Sequence, residues 1–113
     1  MKQRLRIYIS GPLTSSGDVI DNVDAAIEAA KHLIDLGYAP LCPHLTYYID
    51  PSAEIDHSVW MEVDLPWVQT AHAILRLPGA STGAMIECDE ARSWNIPVFN
   101  SIESLHQHFS RAA

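Results

Sequence analysis

The stretch that decides the fold is A-H-A-I-L-R-L-P-G-A-S-T-G-A-M-I-E, Ala71 to Glu87. Ala71 to Leu77 is an apolar run of strand length. Pro78-Gly79-Ala80 interrupts it, since proline and glycine favour turns over continued pairing. Ser81-Thr82-Gly83 then places small polar residues where a new helix needs partners for its free backbone N–H groups, and the helix is expected to reach Trp94. Strand, turn and helix in that order make a βα unit. A chain of such units builds a parallel sheet covered by helices.

The same pattern recurs on either side of this unit. Leu5, Ile7 and Ile9 alternate with Arg6 and Tyr8, so a first strand should end at Ser10-Gly11-Pro12. Val19, Ile20, Val23, Ala26, Ile27, Ala30, Leu33 and Ile34 follow at helical spacing, with Asp18 to cap the helix and Gly37 to end it. Tyr38 to Leu41 reads as a second strand, and Pro97-Val98-Phe99 as a fourth. Ile102 to Phe109 closes the chain as a helix.

Periodicity fails between Thr46 and His57, which predicts a loop of roughly a dozen residues, a length uncommon without a job. Val59 to Gln69 resumes as a helix with Trp60, Val63 and Trp67 on one face. Pro66 either kinks that helix or sits in the first turn of a shorter one capped by Asp64. The sum is a single α/β domain over residues 1–113: a doubly wound parallel sheet of four to five strands, flavodoxin- or Rossmann-like, with helices on both faces. Ligands of such sheets sit beyond the carboxyl ends of the strands, where strand order reverses. That rim carries Ser10-Gly11-Pro12, Pro43-His44, Leu77 to Gly83 and Asn100-Ser101.

Composition narrows the partners. The chain has 113 residues, 48% of them hydrophobic, enough for one core but little for a deep private cleft. A site shared between subunits is therefore worth considering. Its net charge is −7, and no basic stripe is present to displace counterions, which argues against duplex nucleic acid. Cys42 and Cys88 lack metal-type spacing and read as reduced thiols of a cytoplasmic protein. No leader or membrane-length apolar run is visible, so no membrane partner is expected. His44, His57 and His72 do not stand at metal-ligand spacing, so neither metal nor cofactor is expected. The absence of G-x-G-x-x-G, G-K-[ST] and G-x-S-x-G argues against dinucleotide, Walker-type and acyl-hydrolase chemistry.

Two carboxylates remain to be explained. Glu87 lies past the first turn of its helix, among Ala84, Met85, Cys88 and Ala91, so the helix dipole does little for it. A partly buried glutamate needs a partner or a function, although a solvent-facing helical Glu fits the same pattern. Asp64 has Trp60, Trp67 and Val68 at helical spacing, with an N-cap role as the competing reading. Two carboxylates in a rim cleft suit glycosyl transfer, in which one attacks the anomeric carbon and the other orients or protonates.

Y-I-S-G-P-L-T, D-L-P-W-V-Q-T-A and L-P-G-A-S-T-G-A-M-I-E, in that order, resemble the nucleoside 2-deoxyribosyltransferase superfamily, and within it small members of the DUF4406 type and the nucleoside monophosphate N-glycosidases. The resemblance implies that Glu87 is the nucleophile on C1′ and that Asp64 contacts the sugar or assists the leaving base. It also implies that Tyr8, Ser10, Gly11 and Pro12, His44, Ser81 and Gly83 line the substrate pocket. The partner would be a small-molecule nucleoside or nucleotide, and the assembly a homodimer or homotetramer with Asn100 or Ser101 reaching a neighbour's site. Four positions depart from the pattern. Pro12 and Thr14 stand where monophosphate hydrolases carry Ser and Arg, and His72 where transferases carry Asp. Met85 replaces a glycine and is expected to narrow the pocket. These departures motivate an alternative, a nucleotide-binding module without turnover.

Overall fold

The computed structural model describes residues 3–111. The strand β1 (Arg6–Ser10) is its axis. It pairs in parallel with β2 (Ala39–Leu41) on one side and β3 (Ala73–Arg76) on the other, and β4 (Val98–Phe99) adds beyond β3. The sheet order β2-β1-β3-β4 makes this a four-stranded doubly wound parallel sheet of flavodoxin-like topology, as the alternation of elements predicts. The order reverses between β1 and β3, because the chain leaves β1 toward β2 and returns on the opposite side.

Strand parity distributes the side chains of β1. Ile7 and Ile9 point to one face, where α1 (Val19–Asp35) and α4 (Ile102–Arg111) cover them with Ala26, Leu33 and Leu105. Tyr8 points to the other face, where α2 (His57–Val68) and α3 (Thr82–Ser93) supply Val68, Cys88 and Ala91. Helices thus lie on both faces, as the sheet type requires.

The end signals hold where the sequence marked them. Asp18 caps α1 by accepting the Ile20 and Asp21 amides, and Gly37 follows its end at φ +100°, a value that suits glycine. Ser81 caps α3 through the Ala84 amide. Two expectations are corrected. The stretch from Thr46 is not all loop, because Pro43–Tyr48 winds into a short 3₁₀ helix with proline in its first turn. And α2 begins well before Asp64, so Asp64 is a mid-helix residue and not an N-cap. Pro66 falls in the last turn of α2, where its missing N–H leaves the Glu62 carbonyl without its usual helical donor. Trp60 is half-buried, but Val63 and Trp67 of the expected apolar face are exposed, at 44% and 56%. Cys42 and Cys88 are free thiols. Among the described residues no helix is long and apolar enough to cross a membrane.

Candidate active site

A cleft of about 710 Å³ opens beyond the carboxyl ends of β1 and β3, between the β1–α1 loop, the 43–56 segment and the first turns of α2 and α3. Its size is that of a small-molecule site. Of the residues the sequence singled out, Gly11, His44, Asp64, Ser81, Gly83 and Glu87 line it. Tyr8 and Ser10 lie behind that wall, buried, and reach the cleft through Glu87. Pro12 belongs to the adjoining loop. Asn100 lies elsewhere, beside a separate hollow formed with Arg76, Leu77, Pro78 and Gly79.

Glu87 is 7% exposed and fully engaged. The Tyr8 hydroxyl donates to its Oε2 at 2.6 Å, and the Ser10 hydroxyl donates to its Oε1 at 2.7 Å. Both donors come from the face of β1 that carries no aliphatic side chain, so strand parity itself delivers them. Burial pushes the Glu87 carboxyl above its ordinary value, while the two hydroxyls, then the charges of Arg76 and His57, pull it back. Burial and the neighbouring carboxylate raise the Tyr8 phenol, which therefore stays a donor. Each carboxylate oxygen has a further lone pair, so accepting one hydrogen bond apiece leaves the group able to react.

Asp64 reaches the same cleft from α2. Burial and then the charge of Glu87 push its carboxyl up to about 7. The two acids therefore divide the roles by environment. Glu87, which holds two donors, is the one that ionises, and Asp64, without them, is the one that keeps a proton near neutrality.

His44 is 3% exposed, and neither ring nitrogen makes a well-formed hydrogen bond, although the Pro12 and Gly11 backbone lies close enough to favour its protonated form against burial. Burial lowers its pKa, so the ring is neutral and offers one donor and one acceptor. His57, at the start of α2, also lines the cleft. A Cβ at position 83 would lie 3.3 Å from its Cε1, so glycine there makes room for the imidazole. Gly83 and Glu87 are four residues apart, which sets His57 one turn above the carboxylate on the same wall.

The sequence reading missed His57, Asp50, Asp56, Trp60 and Met61, all of which line the cleft. His57, Met61 and Asp64 stand at i, i+4 and i+7, so the helical face of Asp64 was a usable signal for the first two. Two departures prove harmless to the cleft. Met85 is 62% exposed and does not line it, so the expected narrowing does not occur. His72 serves the sheet, its Nδ1 accepting the Arg6 amide at 2.9 Å. No cluster of three or more metal-type ligands occurs among the described residues.

Fold and cleft together define a small doubly wound domain with paired acids at its switch point. The chain belongs to the DUF7768 family, a domain of unknown function whose model matches residues 5–101. Its motifs had pointed to small members of the DUF4406 type. The fold is similar to that of a 2-deoxyribosyltransferase from the psychrotolerant bacterium Bacillus psychrosaccharolyticus. The two superpose with a TM-score of 0.59 and 19% identity, over 82% of this chain and 69% of that one. No curated protein matches the chain.

Proposed function

We propose that this protein is an N-glycosidase or glycosyltransferase that cleaves the N-glycosidic bond of a (deoxy)nucleoside or nucleoside monophosphate. The observation that carries this reading is the buried Glu87 carboxylate, oriented by Tyr8 and Ser10 at the wall of a cleft that Asp64 shares. The fold neighbour, described as a biocatalyst for nucleoside synthesis, supports the substrate class.

In this mechanism a Glu87 oxygen attacks C1′. The C1′–N bond breaks, its electron pair goes to the base nitrogen, and the Asp64 carboxyl gives the base a proton. A glycosyl ester on Glu87 results. Water, or a second base, attacks C1′ and frees Glu87, and the Asp64 carboxylate takes the proton that the nucleophile loses. His44, at the cleft wall, helps to bind the sugar, alongside Ser81 and the backbone at Gly11 and Gly83.

The same reading includes a homodimer or homotetramer. Val59, Val63 and Trp67 on α2 and Met85 on α3 stay exposed, and a second copy would cover them. Asn100, outside its own cleft, would reach a neighbour's. A cytoplasmic location fits the free cysteines. The reading of a binding module without turnover loses two of its supports, because His72 and Met85 lie outside the cleft.

The test is release of free base from a panel of nucleosides and monophosphates by wild type and Glu87→Ala. Wild type should release base and the variant none, with the fold intact. Base release by the variant at the wild-type rate overturns the assignment.

A further inference from the structure

The charges around the cleft are one-sided. Asp50, Asp56 and Glu87 line it as carboxylates beside Asp64, which holds its proton longest, and among the described residues no lysine or arginine does. None of these four takes part in the ion pairs found among the described residues, Lys31–Glu28 and Arg92–Asp89. Hydrogen bonds hold Asp50 and Asp56 below their ordinary pKa values, chiefly from the Ile55 amide to Asp50 and from the Ser58 hydroxyl to Asp56. Both are therefore charged at neutral pH. Of the two lining imidazoles, His44 is held neutral by burial, and even a full cation at His57 would leave the carboxylates in excess.

Several of the groups that usually receive a phosphate in this kind of fold are already occupied. The N-terminus of α1 follows β1, but the Asp18 carboxylate accepts the Ile20 and Asp21 amides at 2.8 and 3.2 Å, and Asp21 adds a second acid to that turn. In the loop before it, the Ser15 and Ser16 hydroxyls both donate to the Ala80 carbonyl, at 3.0 and 3.1 Å. The nearby cation, Arg76, is turned to the Leu77 and Gly79 carbonyls and lines the hollow of Asn100 instead. What remains is the N-terminus of α3, where residues 82–83 face the cleft, and the uncharged backbone amides and Thr14 hydroxyl of the β1–α1 loop, where residues 13–15 line it. A helix end carries about half a positive charge, too little to offset that many carboxylates around a dianion.

We infer that the substrate is an unphosphorylated nucleoside and that the cleft rejects 5′-monophosphates electrostatically. The inference takes its ligand from the glycosidase reading above and narrows it. Like charges in a partly enclosed cleft repel an anion before contact, so discrimination should appear in both binding and kcat/KM.

Matched pairs of 2′-deoxynucleosides and their 5′-monophosphates test this, with base release and calorimetric binding measured on the intact protein. The nucleoside should be favoured at least about tenfold. Added salt and Asp56→Asn should each narrow that ratio, because one screens the repulsion and the other removes part of it. Preference for the monophosphate overturns the inference and leaves the glycosidase reading standing. A nucleoside bound more tightly than its monophosphate but never cleaved supports the inference and overturns the glycosidase. A ratio indifferent to both salt and Asp56→Asn means a steric cause and overturns the electrostatic claim. Binding of neither compound overturns both readings.

Discussion

The two faces of the sheet are built from the same strands and have opposite chemistry. Toward α1 and α4, β1 presents Ile7 and Ile9, which belong to a cluster of Ala26, Ala29, Leu33 and Leu105. Toward α2 and α3 it presents Tyr8 and Ser10, which spend their hydroxyls on a buried glutamate. A single strand, read two residues at a time, thus separates the part of the core that stabilises from the part that positions a reactive group. Both faces leave some apolar groups at the surface, Ile20 and Ile34 on α1 and Val63 and Trp67 on α2. Holding a carboxylate away from water costs stability, so the dry face must supply what the wet face gives up.

Substitutions on the two faces should therefore fail differently. The largest effect is expected from Glu87→Gln, which keeps the shape and one acceptor, with its NH2 donating to whichever of the Tyr8 and Ser10 hydroxyls turns to accept it, but removes the nucleophile. Base release should fall at least about 10³-fold, while the melting temperature stays level or rises. Leu105→Ala should do the reverse. Leu105 is fully buried against the dry face, so truncation should destabilise by about 2–5 kcal/mol in denaturant unfolding and leave activity per folded molecule unchanged. A Glu87→Gln variant that unfolds, or a Leu105→Ala variant that folds but is inactive, breaks the division of labour.

Tyr8→Phe falls between these. It leaves the packing and deletes the 2.6 Å bond to Oε2. Hydrogen bonds to a charged group contribute about 1.5–3 kcal/mol, so activity should drop about 10- to 100-fold. The sign of the pH effect follows from what the phenol does. It lowers the Glu87 pKa, and without it the carboxyl rises further, so the acidic limb of the pH–rate profile should move to higher pH. A rate loss with an unmoved limb would mean that Tyr8 merely fills space.

Much of this was legible in the sequence, for local reasons. The alternation through Leu5 to Ile9, the Asp18 cap, Gly37 and Ser81 each act within a few residues, and each marks an element boundary that the structure keeps. Tyr8 and Ser10, which the resemblance placed in the pocket lining, are the two donors found at Glu87. Other features depended on distant neighbours. Asp64 could be a helix cap or a mid-helix acid until the start of α2 was known, and that start depends on the 50–56 loop. There the Asp50 carboxylate ties down the Glu54 and Ile55 amides, both at 2.9 Å. His57 was set aside as an unspaced histidine because its meaning comes from Gly83, on another helix. The outward turn of Met85 follows from which side of α3 meets α2, which no local pattern specifies.

The smallest effect tests the wet face through stability alone. Folding raises the Asp64 carboxyl from 3.8 to about 7, by burial first and Glu87 second. The folded protein then holds a proton that the unfolded chain has already released. Stability must fall as pH rises through that window, and the whole penalty is present above it. Asp64→Asn cannot ionise, so it should gain stability relative to wild type at pH 8 and gain less at pH 5, read as paired melting temperatures. Leu105→Ala, which changes no charge, should shift both temperatures alike. If Asp64→Asn also shifts them alike, Asp64 titrates normally, and the division of proton-holding and ionised roles between the two acids fails even if Glu87 remains the nucleophile.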